Sequence, residues 1–167
     1  AYSFSRSYFA EKFKNEGISS CSYENFDLES IELIKEVLKA KNLGGLNVTI
    51  PYKEAIIPYL DELSEDAKII GAVNTIRFLP NGKAEGHNTD AYGFKAALLK
   101  QWGNHATKAL ILGTGGASKA IKYVLEQKNI EPLFVSRNPK EGQIGYEQID
   151  SDLMQAHLLI INCTPLG

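Results

Sequence analysis

The sequence is poor in sulfur: it has two cysteines and one methionine in 167 residues. Cys21 and Cys163 lie far apart and form no Cys-x-x-Cys pair, so neither a disulfide framework nor a thiolate metal site is expected. Two isolated, reduced thiols suit the cytoplasm. The three histidines, His87, His105 and His157, share no metal-ligand spacing, and no metal is expected. No apolar run approaches the roughly 20 residues that cross a bilayer, and no charged-then-apolar leader opens the chain, so a soluble protein is expected. A long Lys/Arg run is also missing and the net charge is −2, which removes the electrostatic footprint of a nucleic-acid or anionic-membrane binder. A small polar or anionic ligand is what remains.

What is present is ordinary globular composition, 44% hydrophobic and 23% charged, enough for one good core or two small ones. Near the start, Ser3 and Ser5 alternate. On an extended segment they face together and can hydrogen-bond a carboxylate; ahead of a helix they act as caps. Residues 7–17 read as a helix with Tyr8, Phe9 and Phe13 on its apolar side, stopped by Gly17. Residues 21–26 read as a strand. Residues 30–41 read as an amphipathic helix with Ile31, Ile34, Val37 and Leu38 at helical spacing.

The stretch 46–53, Leu-Asn-Val-Thr-Ile-Pro-Tyr-Lys, alternates like a strand. Asn47 and Thr49 share one face and Leu46, Val48 and Ile50 the other. Pro51 suits the first turn of a helix, which would leave Lys53 just past the strand's carboxyl end, where open α/β sheets place ligands. The alternative is a plain strand-to-helix junction with a solvated lysine. A short helix is expected to run on to about Pro58, and another over 64–70. Residues 72–79 and 83–87 flank Pro80-Asn81-Gly82, the signature of a hairpin. Directly after it come Gly86-His87-Asn88-Thr89-Asp90 and a helix over about 92–102, with Asp90 placed to cap it.

From Lys108 the grammar becomes strand, glycine turn, helix, strand. The apolar run 109–112 reads as a buried parallel strand. It leads into Gly113-Thr114-Gly115-Gly116-Ala117-Ser118, then a helix to about 128 and a strand over 132–135. The glycine pattern in that setting lets a dinucleotide pyrophosphate reach backbone N–H groups at the helix's positive end. Beyond the second strand, where NAD binders carry a carboxylate for the ribose, stand Ser136-Arg137-Asn138; a guanidinium favours a 2′-phosphate, hence NADP. Residues 158–162 read as a third strand, with no fourth.

Taken together, Ser3-x-Ser5, Asn47-Val48-Thr49-Ile50-Pro51-Tyr52-Lys53, Gly71-Ala72-Val73-Asn74-Thr75, Gly86-x-Asn88-Thr89-Asp90, Gly113-x-Gly115-Gly116-Ala117-Ser118, Ser136-Arg137 and the closing Ile161-Asn162-Cys163-Thr164-Pro165-Leu166-Gly167 resemble the shikimate dehydrogenase family along nearly the whole chain. The glycine turn is common to many dehydrogenases. The segments around Lys53 and Asp90, at this separation, are not.

The resemblance implies an α/β, two-domain fold: an amino-terminal α/β substrate domain over 1–90, a linking helix over 91–105, and a Rossmann-like NADP-binding domain over 106–167, both domains apparently truncated. It implies reversible NADP-dependent reduction of 3-dehydroshikimate to shikimate, in aromatic amino-acid biosynthesis. Ser3 and Ser5 would bind the substrate carboxylate, and Asn47, Thr49, Asn74 and Asp90 its hydroxyls. Lys53 and Asp90 would be the catalytic pair. Gly113, Gly115, Gly116, Ala117, Ser136, Arg137 and Asn138 would hold NADP, with Thr164 near the nicotinamide. The family's serine pair usually sits in His-Ser-x-Ser-Pro; here Tyr2 and Arg6 flank it. The family's first strand, last strands and substrate-contacting glutamine have no counterpart in these residues. A monomer or homodimer is expected. A quinate-accepting or NAD-using relative, or a fragment that binds shikimate without turnover, are the rival readings.

Overall fold

A computed structural model describes residues 4–101 and 107–166. It contains two compact units, Ala1–Lys41 and Asn42–Gly167. No helix among the described residues is long and apolar enough to cross a membrane.

In the first unit α1 covers Phe4–Asn15. It begins earlier than expected: Phe4 and Tyr8, one turn apart, stack with ring centroids 6.0 Å apart, an i,i+4 pair that supports the first turn. Ser5 therefore lies within the helix, not on an extended segment. Ser3 falls outside the described residues. Gly17 stops the helix at φ 66°, with Ile18 N–H on the Phe13 carbonyl and Gly17 N–H on that of Lys14, the paired bonds of a Schellman end. The strand expected over 21–26 does not form. That segment belongs to neither sheet and is held by a side chain, the Tyr23 ring stacked on Phe9 at 5.0 Å. The amphipathic stretch divides into a 3₁₀ turn, Ile31–Leu33, and α2, Ile34–Leu38. Ile34 and Val37 are buried, as the spacing requires.

The second unit contains two four-stranded sheets. The first is built from β1 (Gly45–Asn47), β2 (Glu62–Leu63), β3 (Thr75–Phe78) and β4 (Ala84–His87), in the order β1-β3-β4-β2. β3 and β4 form the expected hairpin, with Thr75 opposite His87 and Phe78 opposite Ala84. Gly82 takes φ 82° at its turn, a conformation open to glycine. Glu85 on β4 accepts from His87 Nε2 at 2.8 Å and Arg77 at 2.6 Å. The His87 bond first and the Arg77 bond second hold its carboxyl below the usual glutamate range.

β1 stops at Asn47, and the Ile50–Pro51 bond is cis. Pro51 thus forms the corner of a turn and does not open a helix, and Ile50 is exposed despite its alternation with Leu46 and Val48. The expected helix after Lys53 is reduced to turns ending in a 3₁₀ segment, Ile57–Tyr59. The next helix, α3, Glu65–Ile70, matches expectation: Ser64 Oγ accepts from Ala67 N–H, and Gly71 closes it at φ 69°.

The helix α4 spans Asp90–Gln101. Its capping contact comes from Asn88, whose Oδ1 accepts from Ala91 N–H at 3.2 Å. Asp90 is left available for other work.

The second sheet contains β5 (Lys108–Leu112), β6 (Glu131–Val135), β7 (Gln143–Ile144) and β8 (Leu159–Asn162), all parallel, in the order β7-β6-β5-β8. The fourth strand corrects the three-strand reading. β7 is only two residues long, too short for a periodicity signal. Helix α5, Gly116–Gln127, joins β5 to β6, and α6, Ser151–Ala156, precedes β8. One buried cluster ties the elements together: Ile70 from α3, Ala91 and Leu98 from α4, Ile111 from β5, Ile121 and Leu125 from α5, and Leu159 from β8. The glycine turn and the lysine-bearing segment both fall within this second unit.

Candidate active site

Lys53 is placed by its backbone before its side chain. Its carbonyl accepts from Val73 N–H at 2.7 Å, and Val48 N–H donates to the Asn74 carbonyl at 2.8 Å. These bonds lay the 47–53 segment along the start of the hairpin. Asn74 N–H in turn bonds the His87 carbonyl at 3.0 Å, bringing Asn88, Thr89 and Asp90 to the same place.

There Lys53 Nζ donates to Asp90 Oδ2 at 2.6 Å, across 37 residues of sequence. The Lys53 side chain is only 16% exposed and that of Asp90 32%, so the pair is shielded more than a surface ion pair is. The other Asp90 oxygen, Oδ1, accepts from Asn74 Nδ2 at 2.8 Å. Asn74 is held from its carbonyl side too, accepting from Thr89 N–H at 2.8 Å and Thr75 Oγ1 at 3.1 Å. Asn88 is buried and donates to the Ala72 carbonyl at 2.9 Å. Lys53, Asn74 and Asp90, singled out from sequence, therefore meet in one network. Thr75 and Thr89 join it without having been singled out. Each is next to an expected residue, and the Asn-Thr-Asp triplet was the available signal. Asn47 and Thr49 lie on the adjoining segment, both exposed.

The glycine turn abuts this network. A Cβ built on Gly116 would lie 2.8 Å from Lys53 Cβ and 3.5 Å from Ala72 Cβ, so a side chain at 116 and Lys53 cannot share the space. Gly115 has nothing within 4 Å of such an atom and faces open room at the N-terminus of a 12-residue helix, whose first N–H groups lack intrahelical acceptors. Gly113, at φ 100°, lies against Cys163 and Thr164. Ser118, where a third glycine is usual, is fully buried and donates to the Gly115 carbonyl at 2.6 Å. Ala117 is in the helix's first turn.

Three strand ends converge around the turn. Gly113 N–H bonds the Val135 carbonyl at 2.9 Å, and Cys163 N–H that of Leu112 at 2.8 Å. Ser136, Arg137 and Asn138 leave the end of β6, Arg137 and Asn138 exposed, with Asn138 N–H on Ser136 Oγ at 3.2 Å. Thr164 leaves β8 with its hydroxyl on Asn162 Oδ1 at 2.7 Å. The expected cofactor residues from this sheet all lie at its carboxyl edge, the ligand side of an open parallel sheet.

Residues 1–76 match the shikimate dehydrogenase substrate binding domain. The chain is 41% identical to the NADP(+) shikimate dehydrogenase of Methanosphaera stadtmanae, over 87% of this chain and 58% of that one. Most of the chain is thus similar to shikimate dehydrogenases. Among solved structures, shikimate dehydrogenase 1 of Peptoclostridium difficile superposes with a TM-score of 0.82 at 35% identity, covering 99% of this chain and 63% of that one. The Thermus thermophilus shikimate 5-dehydrogenase in complex with NADP(H) and shikimate gives 0.74 at 31% identity, covering 97% and 64%. The chain thus spans less than two thirds of the length of these shikimate dehydrogenases.

Burial pushes the Cys163 thiol up to about 11, so it is protonated at neutral pH. Cys21 is exposed. Mild alkylation of the native protein with iodoacetamide, read by peptide mass spectrometry, is expected to label Cys21 and leave Cys163 largely unmodified. Equal labelling of both would show that the turn beside Gly113 is open to solvent.

Proposed function

We propose that this chain carries the substrate- and cofactor-binding machinery of an NADP-dependent shikimate dehydrogenase, which reversibly reduces 3-dehydroshikimate to shikimate. The observation that carries this reading is the shielded Lys53–Asp90 pair set directly against the Gly116 turn. It joins a proton donor to a dinucleotide cradle.

NADPH supplies the hydride when bound. Negative charge then gathers on the substrate's ketone oxygen, and a donor aimed there both stabilises that charge and delivers a proton. In this reading Lys53 Nζ hydrogen-bonds the oxygen and gives up the proton; in the reverse direction it receives one. Asp90 and Asn74 hold Nζ in register. Asn47, Thr49, Asn74 and Asp90 are assigned to the substrate hydroxyls, and Ser3 and Ser5 to its carboxylate. Gly113, Gly115, Gly116 and Ala117 would accept the pyrophosphate, since the Gly115 face has room that a side chain would fill. Ser136, Arg137 and Asn138 would hold the 2′-phosphate, and Thr164 the nicotinamide end. The exposed Arg137 guanidinium supports NADP over NAD.

The division into a substrate domain over 1–90, a linking helix over 91–105 and a cofactor domain over 106–167 is part of the proposal, supported by the two separate sheets. A cytoplasmic monomer or homodimer acting on this small molecule completes it. The test is direct: the purified protein, given shikimate and NADP, is expected to form NADPH. Quinate and NAD in parallel should give lower kcat/KM. Preference for either would transfer the reading to a quinate- or NAD-using relative. Shikimate binding by calorimetry without turnover would leave a binding fragment.

A further inference from the structure

Helix α5 meets the lysine-bearing turn at two successive points. Gly116 offers the vacancy into which Lys53 Cβ fits. One turn further along the same helix face, Lys119 forms an ion pair with Glu54, the residue that follows Lys53. Positions i and i+3 of a helix lie side by side, so adjacent residues of the turn are gripped by adjacent positions of the helix. Lys119 and Glu54 are 38% and 45% exposed at their side chains, and ion pairs that exposed contribute little to stability. What this one constrains is orientation. Without it, the turn keeps its backbone bond to Val73 N–H and the Lys53–Asp90 pair but loses this side-chain tie to α5, so the seat of Lys53 against the glycine turn is less closely fixed.

We propose that Lys119 and Glu54 are positioning residues for Lys53, locking the lysine-bearing turn to the helix whose N-terminus faces the cofactor. This rests on the functional reading above. Misplacement of a reacting group by an ångström costs up to about 10²-fold in rate; a half-exposed tether is expected to account for about 10-fold of that.

The experiment is a double-mutant cycle with Lys119→Met, Glu54→Gln and both together. Each single variant is expected to lower kcat about 10-fold with KM for shikimate nearly unchanged, and the double to be no worse than either single. The reversed pair, Lys119→Glu with Glu54→Lys, should recover most of the loss. A second readout needs no turnover: acetylation of lysines in the ligand-free protein, read by mass spectrometry, should label Lys53 several-fold faster in both single variants. If Lys119→Met alone weakens NADP binding while Glu54→Gln changes nothing, Lys119 serves the cofactor directly and the proposal fails. Unchanged Lys53 labelling in both variants would also overturn it. If the unaltered protein gives no turnover while the labelling changes as expected, the activity reading fails and the tether stands.

Discussion

Lys53→Ala is expected to lower kcat by about 10²-fold or more while leaving the affinity for NADP nearly unchanged. The ammonium is the group in the shielded pair that can both donate to a developing oxyanion and transfer a proton; its partner Asp90 is already committed, one oxygen to Lys53 at 2.6 Å and the other to Asn74 at 2.8 Å. Alanine also removes the methylene stem that packs toward Gly116, with Lys53 Cδ 3.5 Å from the site of a Cβ there. Lys53→Met separates the two effects: it keeps the stem and loses the charge. If the lysine's chemistry is what matters, both variants are equally slow, and both retain NADP binding by fluorescence titration. Normal turnover in Lys53→Met would remove the ammonium from the mechanism.

Gly116→Ala is expected to damage cofactor use and turnover together, by about 10²-fold in kcat/KM for NADP. The new methyl would lie 2.8 Å from Lys53 Cβ. That atom is near the backbone and cannot swing aside as a side-chain tip can, so either the lysine's turn or the helix must retreat. Overpacking of this kind costs about 1–3 kcal/mol, to be seen as a lowered Tm. Gly115→Ala provides the contrast. Gly115 has φ −82° and nothing within 4 Å of an added Cβ, so the fold should tolerate the methyl with Tm unchanged. Its effect should be confined to a raised KM for NADP, because the methyl enters the room assigned to the pyrophosphate. Equal behaviour of the two variants would show that Lys53 does not depend on Gly116 for its seat.

What the sequence revealed followed from how strongly each signal was bound to a physical cause. The β3–β4 hairpin announced itself by Asn81-Gly82, and α3, expected over 64–70, proved to carry a Ser64 cap and a Gly71 end, residues whose backbone or capping needs are local. The strand, glycine turn and helix from Lys108 onward were legible for the same reason. Where local preference was weak, the neighbours decided. Residues 21–26 have strand-like composition but no ladder to join, and the Tyr23–Phe9 stack holds them instead. Pro51 fits a helix start in isolation, yet here it makes a corner. Asp90 looked like a cap, but Asn88 takes that contact and frees the carboxylate to face Lys53. At the site, residue types were readable and their convergence was not. The contacts between Lys53 and Gly116, and between Glu54 and Lys119, join segments that no sequence window spans.

The span between those partners also has a consequence in time. The Lys53–Asp90 bond closes 37 residues of chain and the Glu54–Lys119 bond 65. During synthesis at about 5–20 residues per second, the helix that grips the lysine's turn is made about 3–13 s after the turn itself. A ribosome-bound chain that has already formed its hairpin and its first ion pair is thus still without the surface that seats the lysine, and the site is completed only once the second sheet begins to assemble.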